Sequence, residues 1–262
     1  MSLRICVLAS GSSANATFVA SAEAQLLVDA GLSGRETARR LALIGADIAR
    51  LDAICVTHEH DDHTASLGIL HRRHRIPLYA NAATIEALER GGQRGETAWQ
   101  VFTTGSPFRI KDLRIEPFAV PHDAYDPVGF VVSSGEQRVG IVTDMGMATT
   151  LIRERLRACR VIVVESNHDE QMLRDADRPW ALKQRVASRQ GHLSNRQSAE
   201  LIAEIAGPAL RVVLLAHLSA ECNAPETALA AVRAALAQAG QPQVRVVLTF
   251  PDRVSEVVAT TD

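Results

Sequence analysis

The sequence predicts an α/β chain of two mixed sheets packed face to face with helices outside, an αβ/βα sandwich of four layers. Three features point there. Apolar runs of strand length recur along the chain, closed by Gly, Pro, Asp or Ser. Helical patterns alternate with such runs in the first and last thirds. The middle, 101–143, carries short apolar runs separated by Gly, Pro and Asp, which suits a mostly antiparallel sheet. At 262 residues the chain can bury such a core as a single domain, 1–262.

Taken in order, 3–9 and 25–29 read as buried strands, with turn chemistry at Gly11-Ser12-Ser13 between them. A helix follows Ser33, where Ser33-Gly34-Arg35-Glu36 has the spacing of a capping box. Ala38, Leu41, Ala42 and Gly45 give it an apolar face. Strand 51–57 runs directly into His58, a helix spans 62–72, and 78–80 is again a strand. The last third alternates strand 160–165, helices 180–188 and 194–206, strand 211–216, helix 225–239 and strand 244–248. Ala199, Ile202, Ala203 and Ala206 form the stripe that buries the helix at 194–206.

Composition narrows the functional classes. Aromatic residues are only 4% of the chain, so the core is built from Ala, Val, Leu and Ile. A formal net charge of −2 argues against nucleic-acid binding through a broad basic surface. It leaves open an enzyme that grips a phosphodiester through bound cations. Cys6, Cys55, Cys159 and Cys222 have no tight spacing, as in a reducing compartment. No run approaches the roughly 18 apolar residues of a membrane span, and the opening Met1-Ser2-Leu3-Arg4 is unlike a signal peptide. A cytoplasmic protein with no membrane partner is expected.

The strongest signal is His58-Glu59-His60-Asp61-Asp62-His63, directly after an apolar strand. Residues i and i+2 of an extended segment point to one side, so His58 and His60 can share a metal. Where the chain turns into a helix, Asp62 and His63 emerge at another angle, suited to a second metal. Imidazole and carboxylate donors favour zinc, with manganese or iron chemically possible. Glu59 and Asp61 face away. Further ligands are expected at strand ends, where His122, Asp144 and His217 stand. His192, in Gly191-His192-Leu193-Ser194-Asn195, precedes a helix.

The order Asp29, His58-x-His60-x-Asp62-His63, His122, Asp144, His217 resembles the five-motif pattern of the metallo-β-lactamase superfamily across essentially the whole chain. The resemblance implies that His58, His60 and His122 bind one metal and that Asp62, His63 and His217 bind another. Asp144 would bridge the two, and Asp29 would support the site. Ser10-Gly11-Ser12-Ser13, Thr57-His58-Glu59-His60, Glu165-Ser166-Asn167-His168-Asp169 and Ala216-His217-Leu218-Ser219 are similar to the YycJ (WalJ) group of that family, regarded as DNA exonucleases. Ala14 stands where that group usually has Gly, and Cys222 where it usually has Asn; an accessible Cys222 near the metals would be an adventitious ligand. Segments at 165–168 and 192–199 are also similar to those that supply a proton donor in RNase Z.

The expected function is a metal-dependent phosphodiesterase, a 5′-to-3′ DNA exonuclease with DNA preferred over RNA, in which a hydroxide shared by two metals attacks phosphorus. The alternative on the same centre is an ester, lactone or thioester hydrolase. His192 would protonate the leaving oxygen, with Glu165 or His168 orienting it; local sequence alone favours a plain turn and helix cap at 191–195, and the resemblance favours catalysis. Ser12 and Asn15 face the metals or belong to a plain turn. Ser194 and Asn195 cap the following helix and can meet phosphate, while Asn167 and Asn223 hold phosphate or satisfy backbone. His71, Arg72, Arg73, His74 and Arg75 read as a solvated helix end, and Trp180 as core. Without room for a large inserted nucleic-acid-binding domain, substrate grip must come from the metal cleft, local loops or a second copy in a homodimer.

Overall fold

A computed structural model describes residues 2–92 and 98–261. The first sheet holds β1 (Arg4–Ala9), β2 (Ala16–Ala20), β3 (Gln25–Val28), β4 (Ala53–Cys55), β5 (Leu78–Asn81) and β6 (Trp99–Phe102). The second holds β7 (Phe108–Ile110), β8 (Leu113–Ala119), β9 (Val128–Ser134), β10 (Gln137–Val142), β11 (Val161–Glu165), β12 (Val212–Ala216) and β13 (Arg245–Leu248). The chain end returns as β14 (Val258–Ala259) to pair with β1, so the orders are β14-β1-β2-β3-β4-β5-β6 and β13-β12-β11-β10-β9-β8-β7.

Each sheet is antiparallel on one side and parallel on the other. In the first, pairing is antiparallel as far as β3 and parallel from β3 to β6. In the second it is antiparallel from β7 to β10 and parallel from β10 to β13. The antiparallel middle expected at 101–143 is thus β7–β10, whereas β6 joins the first sheet in parallel.

Double-sided burial explains the continuous apolar strands. In β12, Val212, Leu214 and Ala216 enter the core between the sheets, while Val213 and Leu215 point to the helices. A fully buried side chain of this size contributes about 1.5–3 kcal/mol. On the outer faces, α1 (Gly34–Leu43), α3 (Leu67–His74) and α4 (Ala82–Arg90) cover the first sheet through Leu41, Leu67, Leu70 and Leu88. The second is covered by α5 (Thr150–Leu156), α8 (Asn195–Ile205) and α9 (Pro225–Gln238), through Ile152, Ile202, Ile205 and Val232.

Several elements differ from those the sequence predicts. Strand β2 is an addition, with every residue of Ala16–Ala20 buried. The helix expected at 62–72 is two: α2 (Asp61–Thr64) and α3, parted at Ala65-Ser66. Ser66 Oγ donates to the Ala30 carbonyl at 2.9 Å, tying the break to the loop after β3. The Ser33 capping box is half made. Ser33 Oγ accepts from Glu36 N, but the Glu36 carboxylate turns to Arg39 and Arg40 instead. In α8 the buried stripe is Ser198, Ala199, Leu201, Ile202 and Ile205; Ala203 and Ala206 are half-buried, because α8 packs against α5 and α9. Trp180, expected in the core, is 67% exposed on α7 (Trp180–Val186), a helix with no buried residue. Among the described residues no helix is long and apolar enough to cross a membrane.

Candidate metal centre

The carboxyl ends of β3, β4, β8, β10, β11 and β12 gather at one edge of the sandwich, and the donor residues sit on the loops that leave them. Three of these residues leave their strands with left-handed backbone: Asp29 (φ 64°), Asp144 (φ 55°) and His217 (φ 53°). Asp and His tolerate this region better than most residues, yet each such turn costs about 1–3 kcal/mol. Strand geometry alone would carry these side chains past the centre, and the sharp turn aims them back into it.

Donor atoms of His58, His60 and His122 lie within 4.8 Å of one another, as do those of His58, His63 and Asp144. A third group joins Asp144, Glu165, His192 and His217. Asp62 Oδ2 stands 3.5 Å from His63 Nε2 and 3.9 Å from His217 Nε2. Asp144 is the hub, with Oδ1 3.0 Å from His217 Nδ1 and Oδ2 3.2 Å from His63 Nε2.

Three histidines are oriented by the same device. His63 Nδ1 donates to Asp29 Oδ2 at 2.8 Å. His122 Nδ1 donates to the Gly191 carbonyl at 3.1 Å. The Thr57 hydroxyl donates to Asp29, which leaves its oxygen to accept from His58 Nδ1 at 3.0 Å. In His58 and His122 Nε2 then keeps its lone pair for a cation; at His63, Asp144 and Asp29 overcome burial and raise the ring well above the ordinary imidazole range, so there a cation would displace a proton. Asp29 also accepts Thr57 N at 2.8 Å and so locks the start of the histidine run. Asn15 Nδ2 reaches Asp62 Oδ2 and His63 Nε2, both at 3.0 Å. Gly31 packs so closely on this loop that an added Cβ would lie 1.7 Å from the Asp62 carbonyl oxygen.

The donors fit a divalent cation. His122 Nε2 and His217 Nε2 are buried and have no hydrogen-bond partner among the described residues, a costly state for polar atoms that nothing else satisfies. Burial holds His58 well below, and His122 below, the ordinary imidazole range, so both are neutral at pH 7. Burial opposes protonation of His217 as well, but Asp144 and Glu165 overcome it and raise the ring to about 10. A cation entering beside Asp144 must therefore displace a proton from His217.

Glu165, fully buried at the end of β11, braces the other side. Its Oε1 accepts Met145 N at 2.8 Å and Leu193 N at 3.0 Å, and its Oε2 accepts His192 Nδ1 at 3.0 Å. Burial would raise this carboxyl, but His192 and His217 outweigh it and draw it down to about 2. Of the two partners expected to orient His192, it is Glu165 that does so. The ring of His168 lines a separate cleft instead.

The expected substrate contacts divide. Ser12 lines the metal cleft, a cavity of about 360 Å³, and Asn15 holds Asp62 and His63. Asn195 and Asn223 are buried and bonded to each other, Asn195 Nδ2 to Asn223 Oδ1 at 2.7 Å, and Asn167 Nδ2 donates to the His217 carbonyl at 2.9 Å. These three amides knit the loops after β11 and β12 to the start of α8, which for Asn167 and Asn223 is the backbone-satisfying alternative. Ser194 caps α8 and bonds to Glu170. Cys222 is buried and belongs to none of the donor groups. Glu59 turns from the donors to accept Tyr125 N, and Asp61 is exposed. Arg178 and Arg185, which sequence reasoning passed over, line the cleft from α7 and the loop before it. The run of Arg174, Arg178, Lys183, Arg185 and Arg189 was the available signal.

A family model described as the beta-lactamase superfamily domain matches residues 24–218. The chain belongs to the metallo-β-lactamase superfamily and is a metal-dependent hydrolase of that fold. It is 35% identical to the exodeoxyribonuclease YycJ of Bacillus anthracis, over 92% of this chain and 91% of that protein. It is 36% identical to the exodeoxyribonuclease WalJ of Streptococcus pneumoniae, over 89% and 88%. Among solved structures, the metallo-β-lactamase fold protein YhfI of Bacillus subtilis superposes with a TM-score of 0.73 at 16% identity, covering 97% of this chain and 99% of that one. The short form of human tRNase Z gives 0.59 at 17% identity, over 84% and 93%. At such identities the structural likeness is one of fold alone.

Proposed function

We propose that this chain is a DNA exonuclease working 5′ to 3′ on a centre of two divalent cations, zinc or manganese. His58, His60 and His122 would hold one. Asp62, His63 and His217 would hold the other, with Asp144 between them. Bound there, such cations supply an activated water and neutralise charge building on a phosphate oxygen.

The observation that carries the reading is the Glu165–His192 pair at 3.0 Å, set beside Asp144 and His217 in a cleft rimmed by Arg178 and Arg185. A leaving sugar oxygen needs a proton, and an imidazole whose Nδ1 is held by a buried carboxylate has Nε2 free to give one. Glu165 stabilises the imidazolium before transfer and fixes the ring's angle. Two guanidinium groups at the rim suit a phosphodiester strand better than a small neutral ester. Both guanidinium groups are held in ion pairs, Arg178 with Glu221 and Arg185 with Asp123, from which a phosphate would have to draw them. The identity to two named exodeoxyribonucleases over nearly the whole chain supports the same substrate class. Ser12 would contact substrate at the cleft, with Asn15 behind it holding Asp62 and His63.

End-labelled single- and double-stranded DNA and RNA, incubated with zinc- or manganese-loaded protein, test the reading. Stepwise shortening from the 5′ end of DNA is expected, lost in Asp62→Ala/His63→Ala. His192→Ala should lower turnover about 10²- to 10⁴-fold with metal content unchanged. Cleavage of an ester, lactone or thioester and of no strand would overturn it.

A further inference from the structure

Helix α7 is a partition. Leu182, Arg185 and Val186 face the metal cleft, whereas Trp180, Lys183 and Gln184 face a second cleft of about 320 Å³ on its other side. Nothing in the fold needs α7 for core burial, since none of its residues is buried. The far wall of the second cleft is His168 and the start of α8.

Three features of this cleft call for a ligand. The Trp180 indole is 67% exposed at its mouth, a large apolar surface with no partner. Arg174 and Lys183 line it and make no ion pair among the described residues; their hydrogen bonds go to uncharged groups, the Gln171 side chain and the Arg174 carbonyl. Arg196 also lines it but is neutralised by Glu170 and Glu200, so the unspent positive charge is that of Arg174 and Lys183. His168 is 2% exposed, and its Nδ1 has no hydrogen-bond partner among the described residues. At the start of α8 the capping box uses Ser194 N and Gln197 N, and Asn195 N donates to the His168 carbonyl.

We infer that the second cleft binds a nucleotide of the substrate strand next to the one at the metal centre, its base stacked on Trp180 and its phosphate held by Lys183, Arg174 and His168. The inference rests on the nuclease reading above. Indole, unpaired cations and a buried unsatisfied imidazole together match a π-face joined to a phosphate, the pattern of single-strand grooves. His192 lines the metal cleft and Ser194 the second one, so the two clefts adjoin at residues two apart in the chain. This cleft gives a short chain the strand grip that its net charge of −2 does not.

Metal-loaded wild type, Trp180→Ala, Trp180→Phe and Arg174→Ala/Lys183→Ala would be compared on a single-stranded DNA oligonucleotide and on bis(4-nitrophenyl) phosphate, which is too small to reach across α7. Trp180→Ala should raise the oligonucleotide KM about tenfold or more, the size of one base–aromatic stack. Trp180→Phe should restore most of it, with turnover of the small ester unchanged in every variant. The double variant should flatten the slope of log KM against log salt by about 0.7 for each phosphate no longer neutralised. An unchanged oligonucleotide KM in both Trp180→Ala and the double variant overturns the second cleft and leaves the nuclease reading standing. A wild type that hydrolyses the small ester but no oligonucleotide overturns that reading and this inference with it.

Discussion

The two halves of the sandwich supply the metal centre in opposite ways. The first sheet gives His58, His60, Asp62 and His63 from one loop, so a single stretch of backbone, pinned by Asp29, orders all of them. The second sheet gives His122, Asp144 and His217 from three separate strand ends, with His192 beside them from a fourth loop. Each half has one buried carboxylate as its brace. Asp29, from the loop after β3, pins the loop after β4 at Thr57 and His63; Glu165 ties the loops at Met145 and at Leu193 together. Burial dominates at Asp29 and raises its carboxyl, whereas His192 and His217 draw Glu165 down. A contiguous ligand run needs only local order, but dispersed ligands require the whole sheet to be in register first.

Asp144, which touches His63 on one side and His217 on the other, is where the halves join, and its loss gives the largest effect. Asp144→Ala should lower kcat/KM at least about 10³-fold, several kcal/mol of cation stabilisation, with bound metal falling in elemental analysis. Activity within tenfold of wild type would break the comparison at its centre. The two braces should then separate. Glu165→Ala orphans two buried backbone donors, Met145 N and Leu193 N, and should cost about 2–6 kcal/mol of stability in a denaturant titration. Asp29→Asn should weaken metal binding about 10- to 100-fold with a smaller stability loss. Equal stability losses would show that both halves are globally braced.

Gly31→Ala asks whether the first half is as local as it looks. Its Cβ would collide with the Asp62 carbonyl, so a loss of about 1–3 kcal/mol should come with weaker metal binding. Gly45→Ala meets nothing within 4 Å and should leave metal binding untouched. The smallest effect lies outside the centre. Arg39 and Arg40 hold the Glu36 carboxyl at about 2, below its ordinary value. Its contribution is full above about pH 4.3 and disappears as pH falls through 2. Glu36→Gln should therefore cost about 0.5–1 kcal/mol at neutral pH and progressively less as pH falls through about 2, with metal content at neutral pH unchanged by elemental analysis.

The sequence by itself determined the sandwich and the candidate donors. Runs buried on both faces must be apolar at every position, so β1, β11 and β12 announce themselves, and a histidine cluster after such a run has few other uses. The start of α8 was equally legible, because Ser194 and Gln197 act within one turn. Ala16–Ala20 was not, since its small residues carry no distinctive pattern and its burial comes from neighbours far along the chain. Only the tertiary structure decided how His122, Asp144 and His217 converge, because their approach depends on strand register and on left-handed turns that no local pattern encodes. It alone also assigned Asn195 and Asn223 to each other, His168 to a second cleft and Trp180 to solvent. A side chain's chemistry is written in its residue type, but its partner is chosen by whatever the fold brings within about 3 Å.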